Sequence, residues 1–492
     1  MLSLYGEGIE IEVLKMDTRV GFRNKHSTNH TVINLLELTL DGMERGLKVG
    51  GVFLDVAKAF DTVNHRYLLR KLEYYGFRGK TLMWMESYIT KRTQFVNIRN
   101  HNSNAYELDW GIPQGGVLAP ILFILFMNDI TNSSNIFEFS IYADDTCLTL
   151  KIESEKYDDT MRHELKLIVD WFSSNELLLN FSKTEYLLFW PHFNKCYDKG
   201  ELDLTDMHSA LPKFLFEDPF HESGDPSLAE LNKKGEFVMH EISKVCPKLM
   251  IEEFIKMPDD SQINEPSYVK YLGVNFDNKL RFKHHINILS TKINRLVGIL
   301  WKCDHLNLQI KKTIYHAFVE SHLNYGILAW GAPFAKNLLV NSEVDHVPTS
   351  LKPLNNTQNK VIRAIFRKPK YDKITRSYTS NTPLYSNLGV LKIRDLYYFN
   401  LCYLAFDYFY DKSFPDKIAE NFIKRSDVSS QVTRRTNIDL HCDTPRLSST
   451  FTKPSAAASL MWNSLPNDLR LLKTKHNFKD KVKKYLLSKY ES

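Results

Sequence analysis

The order of apolar and polar positions predicts alternating strands and helices in the first third of the chain. Residues 49 to 56 are rich in β-forming residues and include the two glycines at 50 and 51, a pattern that is typical of a buried strand. Apolar residues at helical spacing follow and end at Gly76, which predicts a helix with that glycine as its stop. A second helix is expected over residues 80 to 90. Residues 93 to 110 contain two short alternating runs around a polar turn, the pattern of a β-hairpin.

The next segment repeats this alternation. The apolar run at residues 117 to 128 predicts a buried helix, and residues 137 to 150 predict two strands joined by a tight turn. An amphipathic helix is expected over residues 155 to 175. Strands that alternate with helices in this way indicate a mixed α/β (α+β) fold.

The pattern changes after residue 190. Residues 191 to 266 break up the periodicity with charges, Pro, Gly and Ser, so we expect a partly disordered insertion there. A strand follows near residue 268, and helices then dominate. The predicted division is an unassigned segment at 1–19, a domain at 20–276 that contains the insertion 191–266, helices at 277–338, a linker at 339–356 and a helical region at 357–492.

Composition and charge add few constraints. The 492 residues include 64 Lys and Arg against 58 Asp and Glu, a net charge of +6 that permits a nucleic-acid partner without requiring one. The six cysteines form no close Cys/His pattern, so a structural zinc site is not expected. We find no secretory signal and no membrane-spanning run, and we expect an intracellular protein with no membrane partner.

Three aspartates are the candidate chemical groups. Asp55 ends an apolar strand, and Asp144 and Asp145 lie in the tight turn of FSIYADDTCL. Buried carboxylates are costly unless they are paired or bound to a metal, and three that converge could hold two Mg²⁺ ions. The alternative is ordinary turn chemistry, since Asp is common in hairpin turns.

A set of ordered motifs decides between these alternatives. In chain order they are GFRNKHST, GVFLDVAKAFDTVNH, GIPQGGVLAPILFILFMNDI, FSIYADDTCL, LLLNFSKTEYLLF and YLGVNFDNKLRFKHHI, followed by SHLNYGILAWG, QNKVIRAIF and WNSLPNDLRLL. This series resembles the reverse transcriptases of non-long-terminal-repeat (LINE-type) retrotransposons, over about residues 20 to 190 and 267 to 492. The resemblance implies a right-hand polymerase with a ferredoxin-like palm, partial fingers, a helical thumb and a helical C-terminal region.

The resemblance also implies a metal site with two Mg²⁺ ions. Asp55 and Asp144 would bind both ions, Asp145 would be the third carboxylate, and the backbone carbonyl of Val56 would complete one shell. Lys183 would approach the triphosphate and protonate the leaving pyrophosphate, with a plain surface lysine as the alternative.

Further residues would bind the nucleotide. Phe60 is at the position of the family's sugar-discriminating aromatic residue, with core packing as the alternative. Gln114 and Gly115 would contact the nucleotide and template. Arg23 would neutralise phosphates or simply be solvated, and Lys58 is a weaker candidate.

The nucleic acid would be held by the primer grip and the thumb. Tyr271, Leu272 and Gly273 would form the primer grip. A basic face on the thumb helices would follow the backbone of the duplex. The alternative is a face that is only solvated. The residues of this face are Lys279, Arg281, Lys283, Lys292, Arg295, Lys302, Lys311 and Lys312. The implied partners are an RNA template, a DNA primer and dNTPs, with work in the nucleus.

Departures from the family leave the activity open. The family's endonuclease domain and part of the fingers are not found, which fits a truncated copy. The alternative function is therefore an inactive or domesticated copy that binds RNA. A phosphohydrolase centred on Asp55 is disfavoured, because such enzymes use a second Asp two residues on and Ala57 stands there.

Overall fold

The structure is a computed structural model, and it describes residues 27–99, 101–189, 266–303, 305–339, 346–372, 377–428, 438–442 and 452–490. The predicted segment 1–19 and the insertion lie outside the described residues, apart from Pro266 at the end of the insertion.

The first part of the described chain alternates helices and strands, as its pattern predicts. Its elements are α1 (Thr28–Glu44), β1 (Lys48–Leu54), α2 (His65–Tyr74), α3 (Gly79–Ile89), β2 (Arg92–Gln94), β3 (Asn97–Ile98), β4 (His101–Asn102), β5 (Tyr106–Leu108), α4 (Leu118–Phe126), a 3-10 turn (Asn128–Asn132), β6 (Glu138–Tyr142), β7 (Asp145–Ile152), a 3-10 turn (Ser154–Lys156), α5 (Tyr157–Ser174) and β8 (Glu185–Phe189).

Four of these strands form the main sheet. Their order is β6-β7-β1-β8, and every neighbouring pair is antiparallel. Helices connect β1 to β6 and β7 to β8, so the chain follows a β-α-β-β-α-β path with the ferredoxin-like strand order. The ferredoxin-like palm expected from the sequence is confirmed by this order.

The two faces of the sheet are buried by different parts of the chain. Val52, Leu148 and Leu188 belong to an apolar cluster with α2, α4 and α5. Val49 and Phe53 alternate onto the opposite face, where they join a cluster with α1 and the helices that follow residue 280. The sheet is therefore the middle layer of the structure.

A helical second part follows the sheet. Its elements are β9 (Tyr268–Tyr271), β10 (Val274–Asp277), α6 (Lys283–Lys302), α7 (Leu308–Tyr315), a π-helical turn (His316–Glu320), α8 (Ser321–Asn324), α9 (Ile327–Trp330), a 3-10 turn (Ala332–Ala335), α10 (Lys336–Leu339), a 3-10 turn (Thr349–Leu351), α11 (Lys352–Phe366), β11 (Tyr371–Asp372), β12 (Ser377–Tyr378), α12 (Thr382–Leu388), α13 (Ile393–Tyr410), α14 (Asp416–Ala419), α15 (Arg425–Val428), α16 (Pro454–Ser464), α17 (Asn467–Arg470) and α18 (Lys475–Ser488).

Hydrogen bonds from the backbone to a side chain mark the start of α2 and the turn that precedes α6. Asn64 accepts hydrogen bonds from the backbone N–H groups of Arg66 and Tyr67 at the start of α2. The carboxylate of Asp277 accepts three backbone N–H groups, those of Lys279, Arg281 and Phe282, and so fixes the chain just before α6.

The predicted linker at 339–356 is too long at its C-terminal end. A 3-10 turn begins at Thr349 and α11 begins at Lys352. Pro353 is the reason, because proline in the first turn of a helix starts it instead of breaking it. α11 packs along α6, and one apolar cluster runs through the predicted thumb and C-terminal region alike. In the described part of the chain, none of the helices is long and apolar enough to cross a membrane.

Candidate active site

The three candidate aspartates lie at one end of the main sheet. Asp55 directly follows β1, and Asp145 begins β7, whose next residue Thr146 pairs with Leu54. Asp144 lies in the two-residue turn between β6 and β7, where Ala143 has a φ of +58°. Antiparallel pairing therefore brings residues 90 positions apart to neighbouring strand ends.

The carboxylates interact electrostatically. Burial raises the pKa of Asp145, the charges of Asp144 and Asp55 raise it further, and Lys270 lowers it. Within the described ranges, no three His, Cys, Asp or Glu side chains are gathered tightly enough to form a ready-made metal cluster. Carboxylate oxygens are the hard ligands that Mg²⁺ prefers. A divalent cation would also offset the repulsion between these three carboxylates, so the donor set fits such an ion.

The loop before β8 holds Asp55 in place. The Asn180 N–H donates to the Asp55 carbonyl at 2.8 Å, and Thr184 Oγ1 accepts the Asp55 N–H at 3.4 Å. Val56, which is buried, forms a bridge with Leu179. Sequence reasoning missed Asn180 and Thr184, although both flank Ser182 and Lys183 in the same motif.

Lys183 is brought to the acidic end of the sheet. Its Nζ lies 4.0 Å from Asp55 Oδ2, and both side chains are substantially exposed, at 69% for Lys183 and 41% for Asp55. Exposed pairs of this kind contribute little to stability. Lys183 therefore lies beside a candidate metal ligand, and its role near the triphosphate stays a prediction.

Two motifs meet around Phe60. The Ile112 N–H donates to the Phe60 carbonyl at 2.8 Å, and Gln114 Nε2 donates to Asp61 Oδ1 at 2.8 Å. The Phe60 ring stacks on Phe123 of α4, with centroids 4.7 Å apart, and is half-buried. The contact with Phe123 shows that packing is one role of Phe60, and its role as sugar gate stays a prediction.

The remaining nucleotide-binding candidates are exposed or lie outside the described residues. Lys58 is exposed and has a φ of +48°, and Gly115 is exposed with a φ of +90°. A left-handed conformation explains the glycine at position 115. Arg23 lies outside the described residues.

The predicted primer grip is the turn of the β9–β10 hairpin. Tyr271 pairs with Val274, and both intervening residues have positive φ, +45° at Leu272 and +78° at Gly273. The Tyr271 side chain is buried and its Oη donates to the Ser140 carbonyl at 2.7 Å, which ties the hairpin to β6. Leu272 is also part of the buried apolar cluster, so only Gly273 of the three predicted grip residues is exposed.

Tyr325 stabilises this turn, and sequence reasoning missed it. Its Oη donates to the Leu272 carbonyl, and its ring lies so close to Gly273 that an added Cβ would meet it at 3.3 Å. A non-glycine residue at positive φ, such as Leu272, is strained, so this contact compensates for the strain. The motif SHLNYG, already noted for its resemblance, contains the residue.

The family model described as "Reverse transcriptase (RNA-dependent DNA polymerase)" matches residues 13–276, more than half of the chain and the whole acidic site. The chain belongs to the reverse transcriptase family. The match thus includes the main sheet, the helices that connect its strands and the β9–β10 hairpin.

Curated relatives agree with this assignment. The chain is 24% identical over 323 residues to the RNA-directed DNA polymerase from mobile element jockey of Drosophila melanogaster, covering 63% of this chain and 29% of that protein. It is also 24% identical over 375 residues to the probable RNA-directed DNA polymerase from transposon BS of the same organism, covering 72% and 33%. The chain spans about a third of the length of these relatives.

A solved structure gives a weaker likeness. The telomerase of Candida albicans, solved in complex with a fragment of telomeric RNA, aligns at a TM-score of 0.28 and 12% identity, over 78% of this chain and 52% of that one. The fold assignment therefore depends on the strand order of the main sheet and not on this neighbour.

Proposed function

We propose that the chain is an RNA-directed DNA polymerase of a non-long-terminal-repeat retrotransposon and extends a primer with dNTPs. The observation that carries this proposal is the placement of Asp55 and Asp145 at neighbouring strand ends, with Asp144 in the adjoining turn, inside the residues that match the family. The named relatives are polymerases of mobile elements, which supports the same class of reaction.

Asp55, Asp144 and Asp145 would hold two Mg²⁺ ions, with the Val56 carbonyl as a further ligand. Metal ions held by these residues would increase the acidity of the primer 3′-OH and neutralise phosphate charge. The chain itself supplies positioning: the loop containing Asn180 and Thr184 fixes Asp55, and the hairpin turn fixes the spacing of Asp144 and Asp145.

Other side chains would position the nucleotide and primer. Lys183 would bind the triphosphate beside Asp55 and give a proton to the leaving pyrophosphate, and Arg23 and Lys58 would offset further phosphate charge. Gln114 and Gly115 would contact the nucleotide and template from the loop that Asp61 anchors. The turn Tyr271–Leu272–Gly273 would support the last primer sugar. The proposed partners are an RNA template, a DNA primer and dNTPs, acting in the nucleus.

A primer-extension assay tests this function. The purified chain, a primed homopolymer RNA, dNTPs and Mg²⁺ should give extended DNA, and Asp144→Ala should remove that activity. The matched control is Asp159→Ala, an exposed aspartate on α5 whose ion pair with Arg162 is local. If the wild type is inert and yet binds RNA as tightly as Asp144→Ala does, the chain is an RNA-binding protein and the polymerase proposal is wrong.

The role of Phe60 has its own test. Phe60→Ala should increase incorporation of ribonucleotides relative to deoxynucleotides, because the ring edge would otherwise clash with a 2′-OH. The control is Phe123→Leu, which alters the stacking partner but leaves the Phe60 ring in place. Unchanged sugar selectivity in Phe60→Ala would reduce Phe60 to a packing residue.

A further inference from the structure

Residues 111–116, the contact loop, are bonded along the chain segment that contains Phe60. The Gly111 N–H donates to the Val63 carbonyl at 2.8 Å, and the Ile112 N–H donates to the Phe60 carbonyl at 2.8 Å. Both donors lie at the start of the contact loop. The backbone of the loop therefore sets where the loop lies relative to Phe60.

Gly111 lets the two segments approach closely. Its φ is +89°, and an added Cβ would meet the Asp61 carbonyl oxygen at 3.0 Å. A side chain at this position would therefore be strained and would also crowd the neighbouring backbone. Further along the loop, Gln114 Nε2 donates to Asp61 Oδ1 at 2.8 Å, so the same segment also holds the Gln114 side chain.

His65 adds a side-chain bond to this junction. It is the first residue of α2 and is 5% exposed, and its Nε2 lies 2.8 Å from the carbonyl oxygen of Gly111, which is also buried. A carbonyl oxygen can only accept, so Nε2 carries a proton and donates. A buried carbonyl that loses its donor is costly, so this bond favours one position of the contact loop.

The start of α2 does not need the imidazole as a cap. Asn64 accepts the backbone N–H groups of Arg66 and Tyr67, and its Nδ2 donates to Glu176 Oε2 at 2.7 Å. The bond of His65 leads away from the helix, to the contact loop. The two neighbouring residues therefore differ: Asn64 fixes the helix end, and His65 joins that end to the loop.

We propose that His65 is a positioning residue for nucleotide selection. Its Nε2–H holds the Gly111 carbonyl, and with it the contact loop, in the place from which Phe60 and Gln114 would contact the incoming nucleotide. The inference rests on the proposed polymerase function for the identity of that nucleotide. Because the imidazole is buried, it acts through the loop and does not touch the nucleotide.

Three variants separate this role from a purely structural one. His65→Leu removes the donor of the Gly111 carbonyl, and His65→Gln keeps an N–H donor on a side chain of similar reach. Asn64→Ala is the control, because it removes the cap and so destabilises the same helix end while the Gly111 carbonyl keeps its donor.

Two measurements apply to each variant. Steady-state primer extension gives kcat and KM for a dNTP and for the matching ribonucleotide. Hydrogen exchange of the free protein, followed by mass spectrometry, reports the amides of the contact loop and needs no turnover. The melting temperature shows how far each variant is destabilised.

We expect His65→Leu to raise the KM for the dNTP about tenfold with a smaller change in kcat, since a lost buried hydrogen bond corresponds to about that factor. Its preference for dNTP over ribonucleotide should fall, and the contact-loop amides should exchange faster. His65→Gln should stay close to the wild type. Asn64→Ala should keep the wild-type KM, sugar preference and loop exchange despite a lower melting temperature.

Several results would overturn the inference. They are a wild-type KM and sugar preference in His65→Leu, or the same losses in His65→Gln or in Asn64→Ala. If His65→Leu does not fold, Gly111→Ala disturbs the same junction from the loop side, and a wild-type KM and sugar preference there would count equally against the role.

A failure of the polymerase proposal looks different. The wild type would then extend no primer, while the faster loop exchange of His65→Leu and its recovery in His65→Gln would persist. Equal loop exchange in His65→Leu and wild type would show that His65 does not position the contact loop, whether or not the chain polymerises.

Discussion

The two faces of the main sheet are covered in different ways. One face packs against α2, α4 and α5, which the chain forms between its own strands. The opposite face packs in a cluster with α1 and with helices much later in the chain, such as α16, which contains Trp462. The motifs of the acidic site belong to the first arrangement, and yet the sheet that presents them also depends on the second.

Polar contacts reinforce the second face. The Ser455 N–H and hydroxyl both donate to the Glu37 carboxylate, at 2.6 and 2.9 Å, and Asn34 donates to Ser140 Oγ at 3.1 Å. These contacts join the start of the described chain to its C-terminal helices and to β6. The predicted C-terminal region is therefore part of the structural support for the sheet.

The largest expected effect comes from removing a core side chain of this second face. Trp462 is fully buried, stacks on Phe409 with centroids 5.1 Å apart, and donates from Nε1 to the Ile438 carbonyl at 2.7 Å. Trp462→Ala should lower the free energy of unfolding by about 3–5 kcal/mol, measured by denaturant titration. Trp84→Ala is the control, since that ring is 53% exposed, and its effect should stay within about 1 kcal/mol. Equal losses in the two variants would argue against a shared core.

A smaller, pH-dependent effect is expected at Glu37. Burial raises its pKa from 4.5 to about 6, although the two Ser455 donors act against that rise. As the pH rises, Glu37 therefore ionises at a lower pH in the unfolded chain than in the folded chain. The wild type loses stability as the pH rises from about 4.5 to 6. Glu37→Gln does not titrate, and its stability relative to wild type should rise by about 2 kcal/mol between pH 4 and pH 7.

Denaturation of both proteins across that pH range measures the difference. Ser455→Ala serves as the control, because it keeps the titrating carboxyl and removes only the hydroxyl. A stability difference between Glu37→Gln and wild type that stays constant with pH would contradict the raised pKa.

The smallest expected effect is at the rim of the same face. Lys417 Nζ lies 2.7 Å from Glu138 Oε2, a partly exposed link between α14 and β6. Glu138→Gln should cost at most about 1 kcal/mol, because solvent screens such pairs. A much larger loss in thermal unfolding would mean that this ion pair, and not the apolar cluster, joins the two regions.

The sequence predicted the acidic end of the sheet better than the packing of the second face, for physical reasons. A strand that ends in Asp55 and a turn that contains Asp144 and Asp145 are local patterns, and antiparallel pairing then brings them together. The packing of α1 against Ser455 links residues more than 400 positions apart, and no local pattern records it.

The pattern of apolar and polar residues also did not predict some short elements and supporting contacts. Strand β8 has five residues, of which the last four are an apolar run, and periodicity alone does not separate so short a run from a helix. Thr184 accepts a hydrogen bond from the Asp55 N–H, and Tyr325 donates one to the Leu272 carbonyl. Each partner belongs to another motif, so these contacts can be identified only in the folded chain.

The most direct test of the acidic site compares single and double substitutions in one reaction. Single-turnover primer extension on an RNA template would be measured for Asp55→Asn, Asp144→Asn and the double variant, with Asp159→Asn as the control. If the carboxylates act as one metal site, each single variant should lose at least about 10³-fold in rate, and the double variant should lose little more. A single variant that keeps a substantial part of the wild-type rate, or losses that simply multiply in the double variant, would contradict a shared metal site at Asp55 and Asp144.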